Sequence, residues 1–249
     1  MSKTTFITGV TAGIGQAAAR RFVGAGWKVI GTGRRADRLD ALAAELGDSF
    51  HAINADMRDT QALEAAVDAL PEGFRDVDLL VNNAGYAPPM DTVQDSQLPD
   101  SIGVIETNIT GLVAMTRKLL PTLIANKGSV INLSSVAATY PYRGGAVYGG
   151  TKAFVRQFSL DLRCDLQGTG VRVTSIEPGM VETEFTLVRN GGDQAASDAF
   201  YGGVDPMTGE DISETIFWVA TLPPHLNINT LELMPVNQSF AGFHVFRPA

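Results

Sequence analysis

Short apolar runs alternate with longer segments of helical period along most of this chain of 249 residues. The apolar runs lie at residues 5–7, 28–30, 50–53, 77–81, 129–133, 171–176 and 231–233, and the helical segments at 14–25, 36–46, 60–70, 146–166 and 212–220. Strands that are joined by helices and buried on both faces form a parallel, doubly wound α/β sheet. No repeat or linker divides the chain, so we predict a single domain over residues 1–249 with about seven strands flanked by helices.

The composition limits the partners that such a domain could have. The 27 acidic and 19 basic residues give a formal net charge of −8 and no basic run, which argues against nucleic-acid or anionic-membrane partners. The beginning of the chain lacks the apolar core of a signal peptide, and no stretch approaches the ~20 apolar residues of a membrane span. The lone Cys164 cannot form an intrachain disulfide, and we expect it to be a small core residue on a helix. The lone cysteine and the lack of a signal peptide fit a reducing, cytoplasmic setting. The three His residues are scattered, so we predict no metal site.

A glycine-rich turn separates the first strand from the first helix and contains Gly9, Gly13 and Gly15. Glycine lets the chain turn tightly there and lets a pyrophosphate approach backbone N–H groups at the helix N-terminus. The spacing differs from the G-x-G-x-x-G fingerprint of dinucleotide-binding turns. Taken alone, the turn therefore fits an ordinary tight turn as well as a phosphate site.

The turn is the first of several motifs that occur in a fixed order along the chain. The others are Asn82-Asn83-Ala84-Gly85, Ser135, Tyr148-x-x-x-Lys152 and Pro178-Gly179. Together they resemble the short-chain dehydrogenase/reductase family over essentially the whole chain. The resemblance implies a Rossmann-like fold and hydride transfer between a nicotinamide cofactor and an alcohol or carbonyl compound. It assigns cofactor contacts to Gly9, Thr11, Gly13, Ile14, Gly15, Asn82, Ala84, Gly85, Tyr148, Lys152, Pro178, Gly179, Val181 and Thr183.

The end of the second strand indicates which nicotinamide cofactor is used. An NAD-binding protein is expected to place an acidic residue there, whereas this chain has Arg34 and Arg35. Two guanidiniums can hold a 2′-phosphate through charge-assisted, forked hydrogen bonds, so we predict NADP(H). Asp56, after the third strand, resembles the family's adenine-binding acid and could also cap the helix that begins near Thr60.

Tyr148 and Lys152 are four residues apart, so they share one face of a helix. An ammonium at ~4 Å with an effective dielectric of ~20 stabilises a phenolate by about 4 kcal/mol and should bring the phenol pKa toward neutrality, while burial acts in the opposite direction. Tyr148 is thus the predicted proton-transferring residue. Ser135 ends the fifth strand and could hold the substrate oxygen; Ser134 is the rival, and the family's separation from the tyrosine favours Ser135.

Asn108 falls within a predicted helix although Asn is a poor helix former. The family resemblance assigns it to binding a water that links Lys152 to solvent; the alternative is a polar surface residue. For Pro178, Gly179 and Thr183 the resemblance implies a place beside the nicotinamide.

Five further segments, residues 32–35, 152–160, 176–179, 228–232 and 234–236, resemble the bacterial NADP-dependent 3-hydroxy acid dehydrogenases, which act on serine and 3-hydroxypropionate. The related sulfoacetaldehyde reductases share this resemblance. Both substrate classes are small alcohols or aldehydes that carry an anionic group. The candidate cations for that anion are Arg143 and Arg189, and we prefer Arg189 because it lies in a weakly periodic segment, residues 184–209, that is predicted to form a lid. A non-catalytic NADP-binding sensor on the same fold is the other alternative.

The family resemblance also implies a homotetramer that pairs through long helices and C-terminal strands. The end of the chain, residues 240–247, is rich in aromatic residues. We expect it to pack on a partner subunit, and packing within its own chain is equally compatible with the sequence.

Overall fold

The computed structural model describes residues 2–240, which form a seven-stranded sheet with helices on both faces. The sheet order is β3-β2-β1-β4-β5-β6-β9, and every neighbouring pair is parallel. Its strands are β1 (Thr4–Thr8), β2 (Lys28–Gly33), β3 (Phe50–Asn54), β4 (Leu79–Asn82), β5 (Ser129–Leu133), β6 (Arg172–Pro178) and β9 (Thr230–Leu233). Two short strands, β7 (Val181–Glu182) and β8 (Met207–Thr208), pair with each other in a separate ladder. The predicted parallel α/β sheet is confirmed.

The helices cover the two faces of the sheet in separate groups. They are α1 (Gly13–Gly24), α2 (Ala36–Leu46), α3 (Thr60–Asp68), α4 (Leu98–Ile105), α5 (Leu112–Ala125), α6 (Ala146–Asp165), α7 (Glu184–Arg189), α8 (Gln194–Tyr201) and α9 (Gly209–Ala220). One core cluster joins the sheet to α1, α2 and α9 and includes Phe22, Leu42 and Ile216. The other cluster includes Leu119 and Leu162 and joins the sheet to α3, α5 and α6. Because both faces are covered, the central strands β1, β4 and β5 are buried at every position rather than at alternate positions.

Three local features differ from what the sequence pattern predicts. The segment between α4 and α5 is a π-helix, Glu106–Gly111, and the pattern had placed only Asn108 in a helix there. The segment 184–209 contains the helices α7 and α8 although its periodicity is weak. Cys164 is exposed on the outer face of α6, so its predicted core position is wrong.

The strand order reverses between β1 and β4, which places a crevice at the carboxyl ends of these neighbouring strands. The glycine turn follows β1 and the segment Asn83-Ala84-Gly85 follows β4, so both border this crevice. Ligands of open parallel sheets bind at such a switch point. Among residues 2–240, no helix combines the length and apolar character that crossing a membrane requires.

Candidate active site

A cleft of about 1320 Å³ lies along the carboxyl edge of the sheet. One end is bordered by the glycine turn and the end of β2, and the other by the ends of β5 and β6, the start of α6 and helix α7. Its lining includes residues from every motif that the sequence analysis identified. Within the described part of the chain, no group of three or more His, Cys, Asp or Glu side chains could hold a metal ion.

The glycine turn has the backbone shape that a phosphate site needs. Gly9 and Gly13 have φ values of +75° and +52°, a left-handed region that favours glycine. A Cβ on Gly15 would run into the carbonyl oxygen of Gly9, so only glycine allows this approach. Helix α1 begins with neither a side-chain cap nor an acidic residue in its first turn, which leaves its positive end available to an anion. These features fit the pyrophosphate of a dinucleotide.

Arginines surround the end of β2, where the adenosine side of a dinucleotide would lie. Arg34 approaches Asp56 to 3.9 Å, and Arg35 donates through Nε and Nη2 to the Thr11 hydroxyl. A third guanidinium, that of Arg38, was not predicted although it follows Arg35 at a spacing that places both on one helix face. This set of donors suits a 2′-phosphate.

Asp56 lies beside this arginine group, and its carboxylate accepts hydrogen bonds from the Arg58 guanidinium. The Arg58 side chain lowers the pKa of Asp56. The predicted capping role of Asp56 is wrong, because Asp59 caps α3 by accepting from the backbone of Ala62. Asp56 instead lines the cleft, where its predicted contact with adenine remains a hypothesis.

Tyr148 and Lys152 lie on one face of α6, one turn apart, as predicted from their spacing. The Lys152 ammonium is 5.7 Å from the centre of the Tyr148 ring and donates to the Leu133 carbonyl at 2.7 Å. Ser135 is hydrogen-bonded to the Tyr148 phenol, whereas the buried Ser134 hydroxyl donates to the Lys152 carbonyl. The geometry therefore favours Ser135 over Ser134 as the hydroxyl that faces the reacting atoms.

Burial dominates the protonation of both groups. It raises the pKa of Tyr148 above its ordinary value, and the Ser135 hydrogen bond acts in the opposite direction with a smaller effect. The prediction that Lys152 lowers the pKa of Tyr148 is wrong for the protein alone, because the ammonium donates to the Leu133 carbonyl rather than to the phenol oxygen. Tyr148 is accordingly a protonated acid at neutral pH. The same burial lowers the pKa of Lys152 to about 8.

The lowered pKa of Lys152 predicts how stability depends on pH. Between about 8 and the ordinary value of 10.5, the unfolded chain binds this proton and the folded chain does not, so stability increases with pH through that window. We expect the wild-type protein to gain about 2 kcal/mol more in free energy of unfolding between pH 8 and pH 10 than Lys152→Met does. Urea unfolding of both proteins at the two pH values measures this difference, and equal gains would contradict it.

Asn108 occupies the π-helix between α4 and α5 and is only 1% exposed, which excludes the alternative of a surface residue. Its amide donates to the Tyr86 carbonyl and to the Thr151 hydroxyl, and its Oδ1 accepts from the Tyr86 N–H. A Cβ on Gly85 would be 3.1 Å from Asn108 Oδ1 and 3.4 Å from Lys152 Nζ, so both groups crowd the same glycine. Asn108 is thus fixed beside the ammonium.

The two asparagines after β4 have different positions. Asn82 is buried, and its amide donates to Asn132 of β5 and to Thr116 of α5, which supports its predicted role in joining strands. Its predicted cofactor contact is not what the geometry favours, because Asn83 lines the cleft instead. The Asn83 amide donates to the carbonyls of Thr8 and Gly9 and so braces the glycine turn.

Helix α7 brings Arg189 over the Tyr148 ring, with 5.9 Å between the guanidinium carbon and the ring centre. Its Nε donates to the Pro88 carbonyl and its Nη2 to the Tyr142 hydroxyl, both at 3.2 Å. A guanidinium has five N–H groups, so these bonds fix its orientation and leave donors for an anion. Arg143 is exposed at the rim of the cleft.

The segments beside the predicted nicotinamide position also meet here. The Pro178 carbonyl accepts from Ser135 at 3.3 Å, and Thr183 caps α7 and lies against Gly13. Val181 and Gly179 line the same wall of the cleft. All of these residues lie together, as the sequence predicted.

Sequence reasoning missed several contributors to the cleft because they arrive from distant parts of the chain. Phe185 of α7 packs its ring 5.7 Å from that of Tyr148. Gln238 accepts from the Met180 N–H, and Phe240 stacks on Tyr140 of the same chain. The start of the aromatic C-terminal segment therefore packs within its own chain, and its remainder lies outside the described residues.

Comparison with known proteins finds relatives that match nearly the whole chain. The family model described as short chain dehydrogenase matches residues 3–192. A serine 3-dehydrogenase of Agrobacterium fabrum is 66% identical over 99% of each chain. Sulfoacetaldehyde reductase 2 of Chromohalobacter salexigens is 55% identical over 99% of this chain and 100% of its own. Among solved structures, the closed form of a serine dehydrogenase complexed with NADP+ aligns with a TM-score of 0.97 at 49% identity, covering 98% of this chain and all of that one.

Proposed function

Because the chain belongs to the short-chain dehydrogenase family, we propose that it transfers hydride between NADP(H) and a small 3-hydroxy acid or its semialdehyde, of the serine or 3-hydroxypropionate type. The observation that carries the proposal is the placement of one guanidinium, that of Arg189, above the Tyr148 ring, which is itself joined to Ser135. A proton donor and an anion-binding group thereby share one end of a cleft whose other end suits a dinucleotide phosphate.

The protein groups supply proton transfer and orientation. Ser135 holds the substrate oxygen, and Tyr148 gives a proton to it during reduction and removes one during oxidation. Lys152 and the neighbouring Asn108 would support this exchange, with Asn108 binding a water that links the ammonium to solvent. When bound, the cofactor supplies or accepts the hydride at its nicotinamide ring.

The cofactor would be held by residues from every strand end along the crevice. The phosphates would face the glycine turn, and Arg34 and Arg35 would face the 2′-phosphate, with Asp56 at the adenine. These residues are Gly9, Thr11, Gly13, Ile14, Gly15, Arg34, Arg35, Asp56, Ala84, Gly85, Pro178, Gly179, Val181 and Thr183. The solved relative with bound NADP+ supports this choice of cofactor over NAD.

Arg189 would bind the carboxylate of the substrate in a forked pair, with Arg143 as a weaker contributor from the rim. A sulfonate would fit the same donors, and the relative named sulfoacetaldehyde reductase 2 supports that substrate as the second candidate. The Ser135, Tyr148 and Lys152 group argues against a non-catalytic NADP sensor, since binding alone needs no proton donor.

We also propose that residues 184–209 act as a substrate lid, that the enzyme is cytoplasmic and that it assembles as a homotetramer. Exposed apolar side chains on α4 and α6, among them Leu98, Ile102 and Phe154, would suit the first subunit interface, the one through the long helices. The exposed Trp218 of α9 and the edge strand β9 would suit the second interface, the one through the C-terminal strands. A solution mass of four chains of 26.5 kDa by light scattering would support the tetramer, and a monomer would oppose it.

The direct test mixes the purified protein with NADP+ and L-serine, 3-hydroxypropionate or isethionate and follows absorbance of the reduced nicotinamide. We expect turnover with the two carboxylates, with a rate that rises with pH because Tyr148 must lose its proton before it can act as a base. NAD+ in place of NADP+ should be a poor acceptor. Faster turnover with isethionate would favour the sulfonate candidate, and no turnover despite tight NADPH binding would favour the sensor.

A further inference from the structure

Glu184, the first residue of α7, connects that helix to the arginines at the opposite end of the cleft. Its carboxylate accepts from Arg35 Nη1 at 2.8 Å and from Arg38 Nη1 at 2.7 Å to each oxygen. The two guanidiniums lower the pKa of Glu184, with the Arg38 hydrogen bond having the largest effect. The carboxylate is therefore ionised at neutral pH, and the contact is a charged one between segments that are 146 residues apart.

The arginine group retains capacity for a second anion. Within residues 2–240, the four guanidiniums of Arg34, Arg35, Arg38 and Arg58 form ion pairs with two carboxylates, those of Asp56 and Glu184. The side chains of Arg35 and Arg38 are each 39% exposed, and Arg38 uses only Nη1 for its bonds to Glu184. These ion pairs leave an excess of two positive charges in the arginine group, which suits the charge of a phosphate monoester.

The other end of α7 carries the proposed substrate-binding group. Arg189 is the last residue of this helix of six residues, so about 7.5 Å of helical backbone separates it from Glu184. Phe185, next to Glu184, lies against the Tyr148 ring. Helix α7 is therefore held at one end by the arginines of the phosphate site and presents Arg189 at its other end.

We propose that Glu184 is a positioning residue that couples the two ends of the cleft, an inference that rests on the proposed NADP(H)-dependent function. Through Arg35 and Arg38 it fixes α7 so that Arg189 stays above Tyr148. It also shares these guanidiniums with the 2′-phosphate of the cofactor, so its negative charge weakens cofactor binding. Glu184 thus favours the anionic substrate at the expense of NADP(H) affinity.

The test is Glu184→Gln, which keeps the shape of the side chain and removes its charge. We expect the Kd of NADPH, measured by fluorescence titration, to fall by about 3- to 10-fold because the 2′-phosphate gains the freed guanidiniums. The Kd of NADH, which lacks that phosphate, should not change. The KM for L-serine should rise about 5- to 10-fold with kcat nearly unchanged, because only the placement of Arg189 is loosened.

Opposite effects on the two ligands separate this role from a merely structural one, which would weaken both. Added salt should reduce the NADPH difference between variant and wild type, since part-exposed charges are screened. Glu182→Gln is the matched control, because Glu182 is exposed and lies two residues earlier without an ion pair to these arginines in the described structure. It should leave both constants unchanged.

Substitution of Arg38, which donates to Glu184, tests the same contact from its other side. Arg38→Gln should weaken NADPH binding and raise the KM for L-serine, and adding Glu184→Gln to it should raise that KM by a smaller factor than Glu184→Gln does in wild type, because only the Arg35 contact is then left to lose. Weaker NADPH binding by Glu184→Gln, or no change in either constant, would overturn the inference. If wild-type protein fails to bind NADPH at all, the proposed function fails first, and the titration shows that directly.

Discussion

Replacing Tyr148 by Phe should lower kcat by about 10²- to 10⁴-fold, the usual contribution of a positioned proton donor, while NADPH binding stays within about twofold of wild type. The substitution removes only the hydroxyl, which is hydrogen-bonded to Ser135 and supplies the proton for the substrate oxygen. The ring and its packing against Phe185 remain, so the cleft keeps its shape. Steady-state kinetics with NADP+ and L-serine, together with NADPH fluorescence titration, measure the two effects.

Tyr140→Phe is the matched control for this variant. Tyr140 also lines the cleft, but its hydroxyl donates to Glu232 and its ring stacks on Phe240, away from the reacting end. We expect its kcat to remain within about threefold of wild type, as for loss of one exposed hydrogen bond. If Tyr148→Phe keeps more than about a tenth of wild-type turnover, proton transfer does not depend on this phenol.

Most of the fold could be predicted from the sequence, because the hydrophobic periodicity that marks strands and helices is a property of short segments. Apolar runs mark six of the seven strands of the main sheet to within two residues, and the exception, β2 (Lys28–Gly33), ends three residues beyond its predicted run. The glycine turn, Tyr148 and Lys152 were also accessible, since their chemistry depends on short spacings along one turn or one helix face.

Contacts between segments that are far apart in the chain could not be predicted from the sequence. The sequence predicted a lid at residues 184–209, but not that Glu184 would bind Arg35, that Phe185 would pack on Tyr148 or that Gln238 would reach the cleft. The protonation of Tyr148 was also misjudged, because spacing places an ammonium nearby without showing that the Leu133 carbonyl takes its hydrogen bond. Asn108 could be placed in a helix but not in a π-helix, which has no simple sequence signature.

The second prediction with a large effect concerns Arg189 and the negative charge of the substrate. Arg189→Leu should lower kcat/KM for L-serine about 100-fold, near the upper end of the 1.5–3 kcal/mol that a hydrogen bond to a charged group contributes. Its guanidinium is already oriented by the Pro88 carbonyl and the Tyr142 hydroxyl, so little ordering is needed when the carboxylate binds. The loss should appear mainly in KM, and the reduction of a small uncharged aldehyde should change by less than about threefold.

Two further variants test whether Arg189 acts through its planar pair of donors and whether Arg189, rather than Arg143, binds the substrate anion. Arg189→Lys keeps the charge and loses the planar pair of donors, so it should fall between wild type and Arg189→Leu. Arg143→Leu removes a guanidinium that is exposed at the rim, and we expect about a twofold change at most, since solvated charges contribute little. A larger loss in Arg143→Leu than in Arg189→Leu would transfer the anion site to the rim and remove the main argument for a carboxylate substrate bound beneath α7.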